Sequence, residues 1–231
     1  TGSTGIQTIP VVAAQAKHLT VFQRTPNYTA PARNRPLAPD EQRDFHARHA
    51  QWREEVRHTF AAMTGFPLPT KFPHEDTSEQ RRAFLEKRWK EGGMPQSLLS
   101  SYKGVNVDEQ ANRVVADFVR DKIHEIVKAP KVAALLCPPL DLPIGSKRPP
   151  IDTDYYETFN RDNVTLVDVK QAPIERLTPD GIRTANGHYE LDAIIFATGF
   201  DAMTGTLLAI DIQGPDGYTL KNAWADGPAT Y

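Results

Sequence analysis

The chain has 231 residues, 27 of them Lys or Arg and 29 Asp or Glu, which gives a formal net charge of −2. That length supports one or two domains with ample core, and near-neutral charge gives no electrostatic case for binding nucleic acid or an anionic membrane. A single cysteine, Cys137, excludes an internal disulfide framework, a Cys-x-x-Cys redox pair and a cysteine-rich zinc site.

The chain opens on Thr1-Gly2-Ser3-Thr4-Gly5, and an apolar helix follows from Ile6 to Ala16, which Pro10 should kink or restrict. These residues read as the end of a Gly-x-Gly-x-x-Gly turn whose first glycine and preceding strand lie before residue 1. In such a turn Gly2 lets the backbone approach a pyrophosphate and Gly5 lets the helix pack on the sheet. Ser3 and Thr4 offer N–H and hydroxyl groups to the anion. The expectation is therefore a piece of a longer protein. Leu19-Thr20-Val21-Phe22 then reads as a strand ending at Gln23-Arg24-Thr25. An NAD-binding fold places an acidic residue there, about 20 residues on, to hold the ribose 2′-hydroxyl. Arg24 lies 19 residues past Gly5 with no carboxylate beside it in the sequence. A cation, with the Thr25 hydroxyl, suits a 2′-phosphate, so the expected cofactor is NADP.

Ala30 to Pro39 is rich in proline and polar residues and reads as a linker. From Asp40 a charged helix follows, in which Phe45, Trp52, Val56, Phe60 and Met63 fall on one face and Gly65, Pro67 and Pro69 end it. A second helix is expected over Thr77–Lys90, ended by Gly92-Gly93. A third, from about Asp108 to Lys128, carries a wide apolar stripe that includes Val115, Phe118, Val119 and Ile123. Pro130 interrupts it, and Lys131 to Leu136 add a turn. A proline-rich loop runs from Cys137, read as a buried structural thiol, to Gly145-Ser146-Lys147-Arg148-Pro149-Pro150. Short strands come next: Val164 to Val169, then Ile174–Leu177 and Gly181–Thr184 around the turn signal Pro179-Asp180-Gly181. Leu191 to Ala197 is apolar on both faces and reads as a buried parallel strand, ended by Thr198-Gly199. His46 and His49 share a helical face, but no carboxylate or cysteine set completes a metal site. Asp154 and Glu157 read as capping and solubilising groups, and Trp52 and Trp89 as helix-packing anchors. No transmembrane span or signal peptide is visible, so a cytoplasmic location is the default expectation. Oligomeric state is not indicated.

Several of these segments together resemble one family. They are Thr1-Gly2-Ser3-Thr4-Gly5-Ile6-Gln7, Val21-Phe22-Gln23-Arg24-Thr25, Gly145-Ser146-Lys147-Arg148-Pro149, the stretch Asp154-Tyr155-Tyr156-Glu157 through Val164, and Phe196-Ala197-Thr198-Gly199-Phe200-Asp201-Ala202. In this order they resemble the Baeyer–Villiger monooxygenases of the cyclohexanone and phenylacetone group. The resemblance implies an α/β fold: a Rossmann-like NADP-binding domain truncated at its first strand, a helical insertion, and the start of a returning FAD-domain segment. The implied boundaries are 1–33 and 143–196 for the NADP domain, 34–142 for the insertion and 197–231 for the FAD-domain segment. It implies FAD and NADPH as cofactors, a ketone and O2 as substrates, and an ester or lactone as product. Residue by residue, Arg148 matches the family's active-site arginine, Lys147 the lysine that shares the 2′-phosphate with Arg24, and Ala197-Thr198-Gly199 a joint between domains. The family's Phe-x-Gly-x-x-x-His-x-x-x-Trp-Pro fingerprint and its FAD-binding turn would both lie before residue 1. A related monooxygenase that oxidises nitrogen or sulfur remains an alternative, as does an NADP-binding module without catalysis.

Overall fold

A computed structural model describes residues 2–59, 68–93, 96–201 and 203–229. Helix α1 (Ser3–Gln15) begins with Gly2 in extended conformation at its N-cap and continues through Pro10. Its buried residues Gly5, Ile6, Ile9 and Ala13 follow a 3–4 residue spacing, which is the stripe of a helix packed on one side. The chain turns back into β1 (Leu19–Gln23), and the Asn163 side chain closes the C-terminus of α1 by donating to the Ala13 and Ala16 carbonyls, 3.0 Å each.

The stretch read as a linker holds a short strand, β2 (Ala30–Pro31), which pairs in parallel with β3 (Ile151–Asp152). Ala30 N–H donates to the Pro150 carbonyl at 3.4 Å and Ala32 N–H to that of Asp152 at 2.7 Å. Pro31, which has no donor, falls at the alternate position where none is required. Two residues leave no periodicity to read, and their partner lies 121 residues away.

Helix α2 (Pro39–Arg57) begins one residue before the expected start, and Glu41 accepts from Ala38 N–H at 2.8 Å. None of its residues is buried; Phe45 and Trp52 stack edge to face within the helix at 5.1 Å. Phe60, Met63, Gly65 and Pro67 lie outside the described residues. A short 3-10 turn, Pro73–Glu75, leads to α3 (Ser78–Glu91), whose N-cap is a reciprocal box between Thr77 and Gln80. After α4 (Gln96–Leu99), helix α5 (Glu109–Ile126) starts with the Asp108 carboxylate accepting from Ala111 N–H at 2.7 Å. It buries Val115, Phe118, Val119 and Ile123, and each such fully buried apolar side chain contributes about 1.5–3 kcal/mol. Pro130 opens a separate helix, α6 (Pro130–Leu136), as its fixed φ favours at a first helical position.

After β3 comes α7 (Tyr155–Thr158). Asp154 stands at its N-cap in left-handed conformation (φ 57°) without a side-chain cap bond. The cap is supplied by Asp152, whose carboxylate accepts from Tyr155 N–H at 3.1 Å, so the capping expected of Asp154 falls to its neighbour. Strand β4 (Val164–Asp168) returns beside β1 in parallel, with Leu19 opposite Val164 and Gln23 opposite Asp168. Strands β5 (Ile174–Thr178), β6 (Gly181–Thr184) and β7 (Gly187–Glu190) form an antiparallel meander. Gly181 is required there: a Cβ would stand 1.9 Å from the Tyr189 carbonyl oxygen.

The expected strand over Leu191–Ala197 is absent. Ile195 and Phe196 are 59% and 68% exposed, and the run pairs with no strand among the described residues. Apolarity sets what a strand gains on burial, but a strand exists only through ladder bonds to neighbours. The chain divides into two compact units between Ile195 and Phe196. The helices between β2 and β3 form no unit of their own; α3 to α6 share the core of the first, with Trp89 of α3 edge-on to Phe118 of α5 at 6.1 Å, while α2 adds no residue to it. The second unit holds α8 (Gly205–Leu208) and α9 (Leu220–Ala223), and Trp224 donates its indole N–H to Ala229 O at 3.0 Å. No helix among the described residues is long and apolar enough to cross a membrane.

Candidate cofactor site

Three pieces far apart in sequence define the site: the start of α1, the exit from β1 and the loop before β3. Ser3 and Thr4 are exposed at the first turn of α1, where backbone N–H groups have no intrahelical acceptor, and the first such bond runs from Ile6 N to Gly2 O at 3.1 Å. No side chain caps this end. Gly5 is buried and Gly2 has open space around it, as backbone approach to a phosphate requires. In a βα unit of this kind the helix N-terminus faces the carboxyl edge of the sheet, where β1 releases Arg24 and Thr25.

The exit from β1 is stitched to the loop before β3 residue by residue. Asn27 Nδ2 donates to Arg148 O at 3.2 Å, Tyr28 OH to Leu142 O at 2.9 Å, and Thr29 Oγ1 to Pro150 O at 2.9 Å and Asp152 Oδ2 at 2.8 Å. Tyr28 and Thr29 are fully buried. From below, α5 adds two polar side chains at positions where its stripe should be apolar. Asn112 Nδ2 donates to the carbonyls of Ile144 and Val105, 2.8 Å each, and its Oδ1 accepts from Ile144 N–H at 3.0 Å. Arg120 donates to Pro138 O at 3.0 Å, Pro139 O at 2.9 Å and the Tyr28 hydroxyl, and pairs with Asp117 at 2.7 Å. Its guanidinium also lies 5.4 Å over the Tyr28 ring. Burial pushes the Tyr28 phenol up to about 12, with the Arg120 charge opposing. Burial likewise raises the Cys137 thiol to about 11; that thiol is half-buried rather than fully buried and faces Arg120 O at 3.9 Å.

The effect is to tie the loop that carries Lys147 and Arg148 to the segment that follows Arg24, through the bond from Asn27 to Arg148 O. Lys147 and Arg148 are exposed, Arg24 is exposed, and none of the three makes an ion pair among the described residues. Thr25 is half-buried. The register sets Asp168 opposite Gln23, which the sequence did not put near Arg24. Its Oδ1 accepts from Lys170 N–H at 2.9 Å. Asn27, Tyr28, Thr29, Asn112 and Arg120 were not singled out in the sequence. The readable signal was a polar pair at i, i+8 inside the apolar stripe of α5. Asp180, His188 and Glu190 offer ligand atoms within 4.8 Å of one another, but Thr178 already bonds His188 Nε2 at 2.9 Å.

No protein-family model matches the chain. The 2-oxo-Δ3-4,5,5-trimethylcyclopentenylacetyl-CoA monooxygenase of Pseudomonas putida is 46% identical over 232 residues, which is the whole of this chain and 42% of that protein. A Baeyer–Villiger monooxygenase of Pseudooceanicola batsensis is 40% identical over the same span. This chain is a homologue of the Baeyer–Villiger monooxygenases. It spans less than half the length of the relatives it matches. The crystal structure of the enzyme OTEMO in complex with FAD and NADP superposes on the whole chain with a TM-score of 0.93 and 44% identity, over 43% of its own length. The Baeyer–Villiger fold therefore accounts for the mixed helix and strand architecture described above.

Proposed function

We propose that this chain is the NADP-binding part of an FAD- and NADPH-dependent Baeyer–Villiger monooxygenase, which inserts one atom of O2 into a ketone to give an ester or lactone. The observation that supports the reading is the stitching of the β1 exit to the loop before β3, through Asn27, Tyr28 and Thr29. Segments 1–33 and 143–196 serve as one nucleotide domain, interrupted by the helices of 34–142, and 197–231 as the start of the returning FAD-domain segment. Residues Ala197-Thr198-Gly199 act as the joint between them.

The chain's own residues fit NADP. Bare N–H groups at Ser3, Thr4 and Gly5 receive the pyrophosphate with the helix dipole behind them. Arg24 and Lys147 flank the 2′-phosphate and Thr25 adds a hydroxyl. Two cations without a protein counter-ion among the described residues favour a dianion over a neutral hydroxyl. FAD, whose Gly-rich binding turn the resemblance places before residue 1, would supply the redox chemistry with O2 when bound. Arg148 holds a fixed positive charge where negative charge builds on the reacting oxygen. A guanidinium suits that task because it does not lose its proton, and its loop needs no reorganisation when charge appears.

The test is made on the full-length protein: bound yellow flavin, NADPH consumption with a panel of cyclic and aryl ketones, and product masses. Ketone-dependent turnover with a product heavier by one oxygen supports the reading. N- or S-oxides alone, or hydrogen peroxide alone, would move the protein to the neighbouring class of flavin monooxygenases.

A further inference from the structure

One side-chain amide holds the start of the cation loop. Asn112, on α5 and only 8% exposed, pairs with both backbone polar groups of Ile144: it accepts from the N–H at 3.0 Å and donates to the carbonyl at 2.8 Å. Its second donor bond reaches Val105 O at 2.8 Å and ties the same amide to the segment before α5. Ile144 is itself buried. The next residue, Gly145, has φ +94°, a conformation that glycine alone adopts freely. Ser146 closes the turn onto Pro143 O through its N–H at 3.2 Å and its hydroxyl at 2.7 Å. Lys147 and Arg148 follow at once, and Arg148 O is held from the other side by Asn27 at 3.2 Å. The loop is thus fixed at Ile144 and again at Arg148, with the exposed Lys147 side chain between the two anchors.

We infer that Asn112 is a positioning residue that sets Lys147 against Arg24, and through that spacing the preference for a 2′-phosphorylated nicotinamide cofactor. The inference rests on the reading of Lys147 and Arg24 given above. The residue type is specific to the task. Aspartate at 112 would keep the acceptor for Ile144 N–H but turn a carboxylate toward two carbonyl oxygens. Serine would reach at most one of the three backbone groups, leaving the others unpaired in the interior. Glutamine keeps the amide with one extra methylene.

The experiment measures kcat/KM for NADPH and for NADH in the full-length enzyme, per bound flavin. The variants are Lys147→Ala, Asn112→Asp, Asn112→Ser, Asn112→Gln and the double variant Asn112→Ser/Lys147→Ala. Lys147→Ala, Asn112→Asp and Asn112→Ser each lower the NADPH-to-NADH ratio by about tenfold, and Asn112→Gln recovers part of the loss. In the double variant the ratio falls no further than in Lys147→Ala alone, because both changes remove one interaction. Normalising to flavin and taking a ratio removes any loss of folded protein, and the serine and glutamine variants serve if the aspartate variant does not fold. A ratio unchanged in the Asn112 variants while Lys147→Ala lowers it overturns the inference alone. A ratio unchanged in Lys147→Ala overturns the reading of Lys147 and the inference with it.

Discussion

Helices α2 and α5 are nearly the same length, 19 and 18 residues, yet they do opposite work. Helix α2 buries none of its residues, and its charges pair along its own surface, Arg48 with Asp44 and Arg57 with Glu54. Helix α5 buries eight residues, and two of them, Asn112 and Arg120, are polar and committed to loop carbonyls. In water a charge on α2 competes with solvent and gains little. On α5 the same kinds of group replace water for a proline-rich loop that has few donors of its own. The helix that reads as a plain core stripe is therefore the one that holds the loop of the candidate cofactor site, while the more highly charged helix has no contact with that loop among the bonds described.

That contrast can be broken in order of expected size. Arg148→Ala in the full-length enzyme should cut ester formation by about 100-fold or more while leaving NADPH binding largely intact, read from product yield and cofactor titration. Unchanged ester yield would mean that the loop α5 supports is not at the chemistry. Arg120→Met should cost about 3 kcal/mol in urea unfolding, because the Pro138 carbonyl and the Tyr28 hydroxyl lose their donor inside the protein. Arg24→Ala should raise KM for NADPH by about tenfold and leave that for NADH nearly unchanged. Equal losses for both cofactors would remove the 2′-phosphate assignment. On α2, Arg57→Ala should change stability by less than about 0.5 kcal/mol, and a larger loss would erase the difference between the two helices.

The same contrast has a pH signature. The Tyr28 phenol lies near 12 in the folded protein against an ordinary value of 10, so the fold favours its protonated form. That contribution is fully present below pH 10 and is lost as the pH rises from 10 towards 12. Tyr28→Phe should flatten the alkaline part of the stability curve, measured by denaturant midpoint at stepped pH. A wild-type curve already flat between pH 10 and 12 would place Tyr28 outside the buried clamp.

What the sequence disclosed follows from how local each signal is. The start of α3 at Thr77, the start of α5 at Asp108 and the hairpin at Asp180-Gly181 are short-range patterns, and each forms where expected. Strand β2 escaped because its partner is 121 residues away, and the run at 191–197 was misread because its apolarity says nothing about what pairs with it. The cations Arg24, Lys147 and Arg148 stood out through motif and resemblance. The residues that hold the loop of Lys147 and Arg148 did not, since an Asn and an Arg inside a helical stripe look like ordinary interruptions until the loop above them is in place.

The most direct test of the central claim is ketone turnover by the full-length enzyme under 18O2, with NADPH consumption and product mass followed together. The account predicts one 18O atom in each ester or lactone, at the inserted position, for each NADPH consumed. An unlabelled product, or NADPH oxidation that yields only hydrogen peroxide across the ketone panel, would contradict it.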